Sequence, residues 1–254
     1  MKLVLFFLVF SGTLWARPLV LLSYFDPFGG ARVNNSETVA RALLEKAQQE
    51  TLPFELKLCK VQTKFDVSHE ELKDCLNGLP ERPLLVLGLG ETGCNLKLEL
   101  MARNLDKTRA PDNAGVERRN TPIVPGAPRA IGLTYPVAQM YCALEPKEQK
   151  LVVISSNAGS FVCNNLAFQT SWFETDLFHG FIHVPMHTCR NLTRINEGVV
   201  GQLQKMITRG VEVAQKSAPA RLPVFSEEFD RIRSEIREDP CEERFWERAR
   251  AFDD

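Results

Sequence analysis

The chain has 254 residues, 44% of them hydrophobic, which is enough to bury one sizeable core. Its 31 basic and 32 acidic side chains leave a net charge of −1. That balance supplies neither the basic face of a nucleic-acid binder nor the acidic excess of a solvating tail, so a small or neutral partner and no nucleic acid are expected.

In chain order, residues 1–16 (MKLVLFFLVFSGTLWA) join one lysine, an apolar run and small residues, the pattern of a secretory signal peptide cleaved after Ala16. No later stretch reaches the ~18 apolar residues of a membrane span. The expectation is an exported protein, periplasmic or secreted, with no membrane contact after cleavage; with the leader uncleaved it stays cytoplasmic. Strands are expected at 18–23 (PLVLLS), 54–61 (FELKLCKV), 83–89 (PLLVLGL), 96–105 (LKLELMARNL), 151–155 (LVVIS) and 180–185 (GFIHVP). Helices are expected at Ser36–Glu50, capped by Asn35 or Ser36, at Ser68–Leu76, Pro136–Leu144, from near Cys163, and at Thr193–Gln215. Apolar strands interleaved with amphipathic helices predict an α/β fold over 17–216, a three-layer α/β/α sandwich around a twisted, mostly parallel sheet. Residues 217–254 read as a charged helical extension. Its Phe225, Phe229, Ile232 and Ile236 form a narrow apolar stripe suited to docking on the domain, or alternatively to contact with a partner or second subunit.

Two motifs are decoys. GLGETG (88–93) satisfies the dinucleotide fingerprint, but the dozen residues between Gly93 and Asp106 alternate like a strand and leave no room for a crossover helix. A tight turn is the better reading, and no cofactor is expected. His183 and His187 stand four apart, as paired zinc ligands on a helix do, yet Pro185 interrupts them, so no metal is expected either.

Seven cysteines, at 59, 75, 94, 142, 163, 189 and 241, show no C-x-x-C pair. An odd count leaves at least one thiol unpaired in a monomer, and spacing does not say which. Cys163 stands out in ISSNAGSFVCNN (154–165), after a buried strand and a turn of small residues and just before a helix. A thiol there meets unpaired N–H groups and the positive end of the helix dipole, which favour thiolate. His183 at the end of another strand is placed to take the thiol proton and return it to a leaving amine. Glu99, on the 96–105 strand, is placed to orient the imidazole as a third member of a triad; Glu91 is the rival carboxylate.

Four blocks in order then carry a resemblance: SYFDPFGGARVNNS (23–36), RAPDNAG (109–115), SSNAGSFVCNN (155–165) and GFIHVP (180–185). The chain resembles the pyroglutamyl peptidase I (pyrrolidone-carboxylate peptidase) family of cysteine peptidases over about residues 18–215. The resemblance implies an omega peptidase that hydrolyses the amide bond after an N-terminal pyroglutamyl residue through a thioacyl-enzyme. Cys163 is then the nucleophile, His183 the base and acid, and Glu99 the orienting carboxylate. Arg109 is implied near the oxyanion, with the Cys163 backbone N–H. Phe25 and Phe28 are implied as the flat apolar walls of the lactam slot, with Leu89, Phe161 and Val162 also at the substrate. Leu89 replaces the glutamine usual in the family, which admits an alternative, an amidohydrolase for another cyclic acyl group. A catalytically idle lactam-binding or peptide-binding homologue is the other alternative. Members of the family form homo-oligomers, so self-association is a further expectation.

Overall fold

Every residue of Leu19–Phe25 (LVLLSYF) is buried, as a central strand flanked on both faces requires, and this segment forms β1. The computed structural model describes residues 17–108, 110–224 and 239–250. The expected leader at 1–16, Arg109, and the stripe Phe225, Phe229, Ile232 and Ile236 lie outside those residues. After β1 come α1 (Asn35–Gln49), β2 (Glu55–Val61), α2 (Val67–Asn77), β3 (Leu85–Glu91), β4 (Leu96–Glu99), β5 (Met101–Arg103) and β6 (Ala130–Gly132). The chain continues through α3 (Val137–Cys142), α4 (Pro146–Gln149), β7 (Val152–Ser155), α5 (Val162–Phe173), β8 (Phe178–Val184), α6 (Leu192–Ala214) and α7 (Pro240–Arg250). The cap of α1 is Asn34 rather than Asn35 or Ser36: its side chain accepts the Ser36 N–H at 3.0 Å.

Six strands form one sheet in the order β2-β1-β3-β8-β4-β7. The pairs β1–β2, β1–β3, β3–β8 and β4–β7 are parallel; β4–β8 is antiparallel. Helices α1 and α6 pack against one face, and α2 and α5 against the other, so the layers are those of an α/β/α sandwich. The expected strand 96–105 is two strands in two sheets. The chain turns at Leu100, whose N–H donates to Ser155 O at 2.7 Å, and β5 then pairs with β6 instead.

The one antiparallel pair in this mostly parallel sheet bears on where Cys163 and His183 meet. Parallel neighbours would bring Cys163 and His183 together simply by ending at one edge of the sheet. But β7 runs against β8, because β4 between them is parallel to one and antiparallel to the other. Ser155 therefore stands level with Glu99 and Phe181, and the turn at 156–161 carries the chain back to place the start of α5 beside the end of β8.

The cysteines form three bridges, Cys59–Cys75, Cys94–Cys189 and Cys142–Cys241, and Cys163 is the free thiol among the described residues. The third bridge ties α7 to α3, where α7 buries Phe245 and Trp246. It links positions 99 apart in sequence, so by loop-closure entropy its loss should cost about 3–5 kcal/mol. The double variant Cys142→Ala/Cys241→Ala should therefore unfold at markedly lower urea than the parent protein under non-reducing conditions. An unchanged midpoint would show that α7 holds by packing alone.

Candidate active site

Side chains alternate along β3, so Leu85, Leu87 and Leu89 face one side of the sheet while Val86, Gly88 and Gly90 face α5. The two glycines lie inside the strand, not in the tight turn expected for GLGETG. Their missing side chains make room. A Cβ on Gly88 would lie 2.5 Å from the Phe181 ring; one on Gly90 would lie 2.8 Å from Cys163 Sγ and 3.1 Å from His183 Cδ2. Sulfur and imidazole thus meet above Gly90, the register partner of His183.

Cys163 is the second residue of α5, whose cap position is Phe161. A helix start carries unpaired N–H groups and the positive end of the dipole, an environment suited to developing negative charge. The next two residues hold that start in place. Asn164 accepts the Arg103 N–H at 2.8 Å and donates to the carbonyls of Arg103 (2.8 Å) and Leu105 (3.1 Å), suturing α5 to β5. Asn165 donates to Asp106 Oδ2 at 2.9 Å, and the same oxygen accepts Arg118 Nη1 at 2.8 Å.

His183 Nδ1 bonds Glu99 Oε1 at 2.8 Å, in a site where Glu99 is wholly buried and His183 only 4% exposed. The strand register explains the pair. Lys97 lies opposite His183 and Glu99 opposite Phe181, so Glu99 and His183 are diagonal neighbours on one face, within reach of a long side chain. The Tyr135 hydroxyl donates to the Glu99 carbonyl at 2.8 Å and steadies β4 at this point. With Nδ1 engaged, Nε2 is left for the thiol. Burial by itself would depress the imidazole, but its bonds to the Cys163 sulfur and the Glu99 carboxylate outweigh that and raise it to about 9. His183 therefore keeps its proton at neutral pH and faces the sulfur as a cation.

Glu91, the rival carboxylate, serves a different histidine. Its Oε1 bonds His187 Nδ1 at 2.7 Å, and its Oε2 accepts the Asn35 N–H at 2.7 Å and the His187 N–H at 3.2 Å. The two histidines with zinc-like spacing are thus held by separate carboxylates.

A cavity of about 370 Å³ opens over Cys163 and His183 and is lined by Phe25, Phe28 and Phe161 among others. The rings of Phe28 and Phe161 lie 4.8 Å apart, and Phe161 also packs edge-on against Phe65 at 5.4 Å. Two expected substrate contacts are not there. Leu89 is fully buried with its side chain on the sheet face opposite Cys163, and Val162 points into the core; neither lines the cavity. The Leu89 side chain therefore does not reach this cavity, and its difference from the glutamine usual in the family cannot act there directly. Position 162 can offer only backbone at the start of α5. Arg109 lies outside the described residues.

The loops around the cavity are latched by residues to which sequence reasoning gives no role. Asn113 Nδ2 donates to Asp26 Oδ1 (3.1 Å) and Pro27 O (2.9 Å), and Asp26 Oδ1 also accepts the Thr63 N–H at 2.6 Å. Asp112 accepts the N–H groups of Phe65 (2.9 Å), Ala114 (2.8 Å) and Val116 (2.9 Å). The DPFGG and RAPDNAG blocks are thus one hydrogen-bonded unit, and only the matching blocks hinted at it. Thr92, Lys97 and Met186 also line the cavity, and no sequence pattern marks them.

A family model described as "Pyroglutamyl peptidase" matches residues 19–221. A pyrrolidone-carboxylate peptidase of Bacillus cereus is 30% identical over 208 residues, covering 76% of this chain and 94% of the relative. One from Caldanaerobacter subterraneus is 33% identical over 172 residues, covering 65% and 81%. Among solved structures, pyroglutamyl peptidase I of Bacillus amyloliquefaciens superposes with a TM-score of 0.66 at 26% identity, over 77% of this chain and 97% of that one. A mutant pyrrolidone carboxyl peptidase of Pyrococcus furiosus gives 0.64 at 25% identity, over 77% and 99%.

The raised His183 has a consequence for stability. Its ordinary value near 6.5 holds in the unfolded chain, so between about 6.5 and 9 the native state binds the extra proton. The stability tied to that proton is complete below about 6.5 and is lost as pH rises through about 9. Unfolding free energy measured in urea should fall from pH 7 to pH 9, and by about 1 kcal/mol less in Glu99→Gln, which lacks one of the two groups, beside the Cys163 sulfur, that hold the proton. An equal fall in both proteins would contradict this account of the pair.

Proposed function

Since the chain belongs to the pyroglutamyl peptidase family, a family of cysteine peptidases that remove N-terminal pyroglutamate, we propose that Cys163, His183 and Glu99 perform that hydrolysis here. The observation that carries the assignment is the buried relay itself. The sulfur shares the space above Gly90 with an imidazole that is hydrogen-bonded at 2.8 Å to a buried carboxylate. The thiolate attacks the carbonyl of the pyroglutamyl residue, and the tetrahedral oxyanion accepts the Cys163 backbone N–H, joined by Arg109 on the family resemblance. As the C–N bond breaks, His183 gives its proton to the departing amine, leaving a pyroglutamyl thioester on Cys163. Water then adds to the thioester and passes a proton to His183, and the C–S bond breaks to release pyroglutamate and restore the thiolate–imidazolium pair. Glu99 keeps the imidazole in one tautomer and one orientation throughout.

Recognition of the acyl group rests on its chemistry. A pyroglutamyl end is a neutral five-membered lactam with no ammonium, and the flat apolar lining of Phe25, Phe28 and Phe161 suits it. Proline lacks the ring carbonyl and would leave buried polar groups unpaired, so prolyl peptides should be rejected.

The reading also puts the enzyme outside the cytoplasm. The composition of residues 1–16 supports it, and so do three cystines, which persist in oxidising compartments. With six thiols committed, the nucleophile has no cysteine left in the chain with which to form an intramolecular bridge.

A fluorogenic pyroglutamyl amide tests the reading. The parent protein should release the fluorophore, and alkylation of the thiol should stop it. Cys163→Ala and His183→Ala should each lower kcat by about 10³-fold or more, and Glu99→Gln by about 10²-fold with KM little changed. Ring binding without turnover would leave a lactam-binding protein, and release of a different cyclic acyl group alone would leave another amidohydrolase.

A further inference from the structure

Four side-chain positions stand in a row across the carboxyl edge of the sheet. Strands β1, β3, β8 and β4 are consecutive neighbours. Tyr24 pairs with Leu89, so Phe25 is beside Gly90; Gly90 pairs with His183, and His183 with Lys97. The row therefore reads Phe25, Gly90 with the Cys163 sulfur above it, His183, Lys97. All but Gly90 line the same cavity.

The row gives a bound substrate a direction. The acyl ring belongs on the aromatic side, at Phe25 and Phe28, and sulfur attacks above Gly90. The departing amine must be within reach of His183, the group that protonates it. The leaving portion of the peptide then extends beyond His183, towards β4. Lys97 stands there, with its Cε and Nζ 3.8 Å from where a Cβ on Gly93 would be, so its ammonium reaches up to the turn that closes this end of the cavity.

That ammonium is uncommitted. Among the described residues no carboxylate comes within ion-pair distance of Lys97. The one carboxylate that shares the cavity lining, Glu91, already accepts three hydrogen bonds, from Asn35 and His187. A partly exposed lysine with no ion-pair partner among the described residues, at a substrate cleft, is a standing attraction for an anion.

We propose that Lys97 selects the residue after pyroglutamate for a carboxylate, so that preferred substrates carry negative charge immediately beyond the scissile bond. The carboxylate has two possible sources, an acidic side chain at that position or the free carboxyl end of a pyroglutamyl dipeptide. The inference rests on the peptidase reading above and adds the class of peptide taken.

The test compares kcat/KM for four compounds: pyroglutamyl-glutamate amide, pyroglutamyl-alanine amide, pyroglutamyl-lysine amide and pyroglutamyl-alanine with its carboxylate free. The parent protein should hydrolyse the glutamate amide about tenfold faster than the alanine amide and the lysine amide slowest, with the spread shrinking as salt rises. Preference for the free alanine acid over its amide would identify the chain end as the source, and preference for the glutamate amide the side chain. In Lys97→Met the ratios should fall to within about twofold, and in Lys97→Glu the order should reverse. Equal rates in the parent protein, or an acid preference that survives Lys97→Met, would overturn the inference while leaving the peptidase reading intact. No turnover of any of the four, together with no thiol-sensitive release from the fluorogenic amide, would overturn both.

Discussion

A single buried hydrogen bond organises the site: His183 to Glu99, 2.8 Å across the antiparallel pair of β8 and β4. Neither group tolerates burial alone. Burial by itself would strip the imidazolium of its proton, and the bonds to the Cys163 sulfur and the Glu99 carboxylate outweigh that. A buried carboxylate in turn needs a hydrogen-bonding partner. The arrangement exists only because β4 reverses direction beside β8. That reversal sets Glu99 diagonally from His183 and puts Lys97 directly opposite it. It also dictates the direction of β7 and hence the turn at 156–161 that returns the chain to Cys163. The His183–Glu99 pair, the placement of Cys163 and the position of Lys97 all depend on one antiparallel register.

The cysteines divide the same way, between scaffold and chemistry. Cys59–Cys75 fastens β2 to α2, and Cys142–Cys241 fastens α3 to α7. Cys94–Cys189 joins the β3–β4 turn to the segment that leaves β8, the two pieces of chain that contribute Thr92 and Met186 to the cavity. A bridge there limits how far that wall can open without occupying the Cys163 sulfur. Cys163 faces an imidazole, and its role differs from that of the other six cysteines because of what surrounds it.

Much of the site is legible along the chain because its signals are local. The small-residue turn before Cys163, the apolar strand ending at His183, and the Pro-Phe-Gly-Gly and Pro-Asp-Asn blocks are short stretches whose chemistry shows in order. Helix α1 departs from expectation by one residue at each end and at its cap, where Asn34 competes with two equally good neighbours. The segment 96–105 reads as one strand because alternation continues through Leu100, and periodicity cannot register a change of sheet. Leu89 draws attention by its place in a motif, yet the face that a strand residue presents depends on which layer covers it. Glu91 and Glu99 both lie near β3–β4, and their different histidine partners depend on pairing between segments 84 and 96 positions apart.

Sequence by itself determined the alternation of strands and helices, the small-residue turn and helix start around Cys163, and the odd number of thiols. Those are properties of neighbouring residues, decided by periodicity, turn chemistry and helix-end electrostatics. Tertiary structure alone decided which carboxylate meets which histidine, which six cysteines pair, that Leu89 faces away and that Lys97 faces in. Each of those depends on strand direction and register, and these are set by the packing of the whole core rather than by any stretch of chain within it.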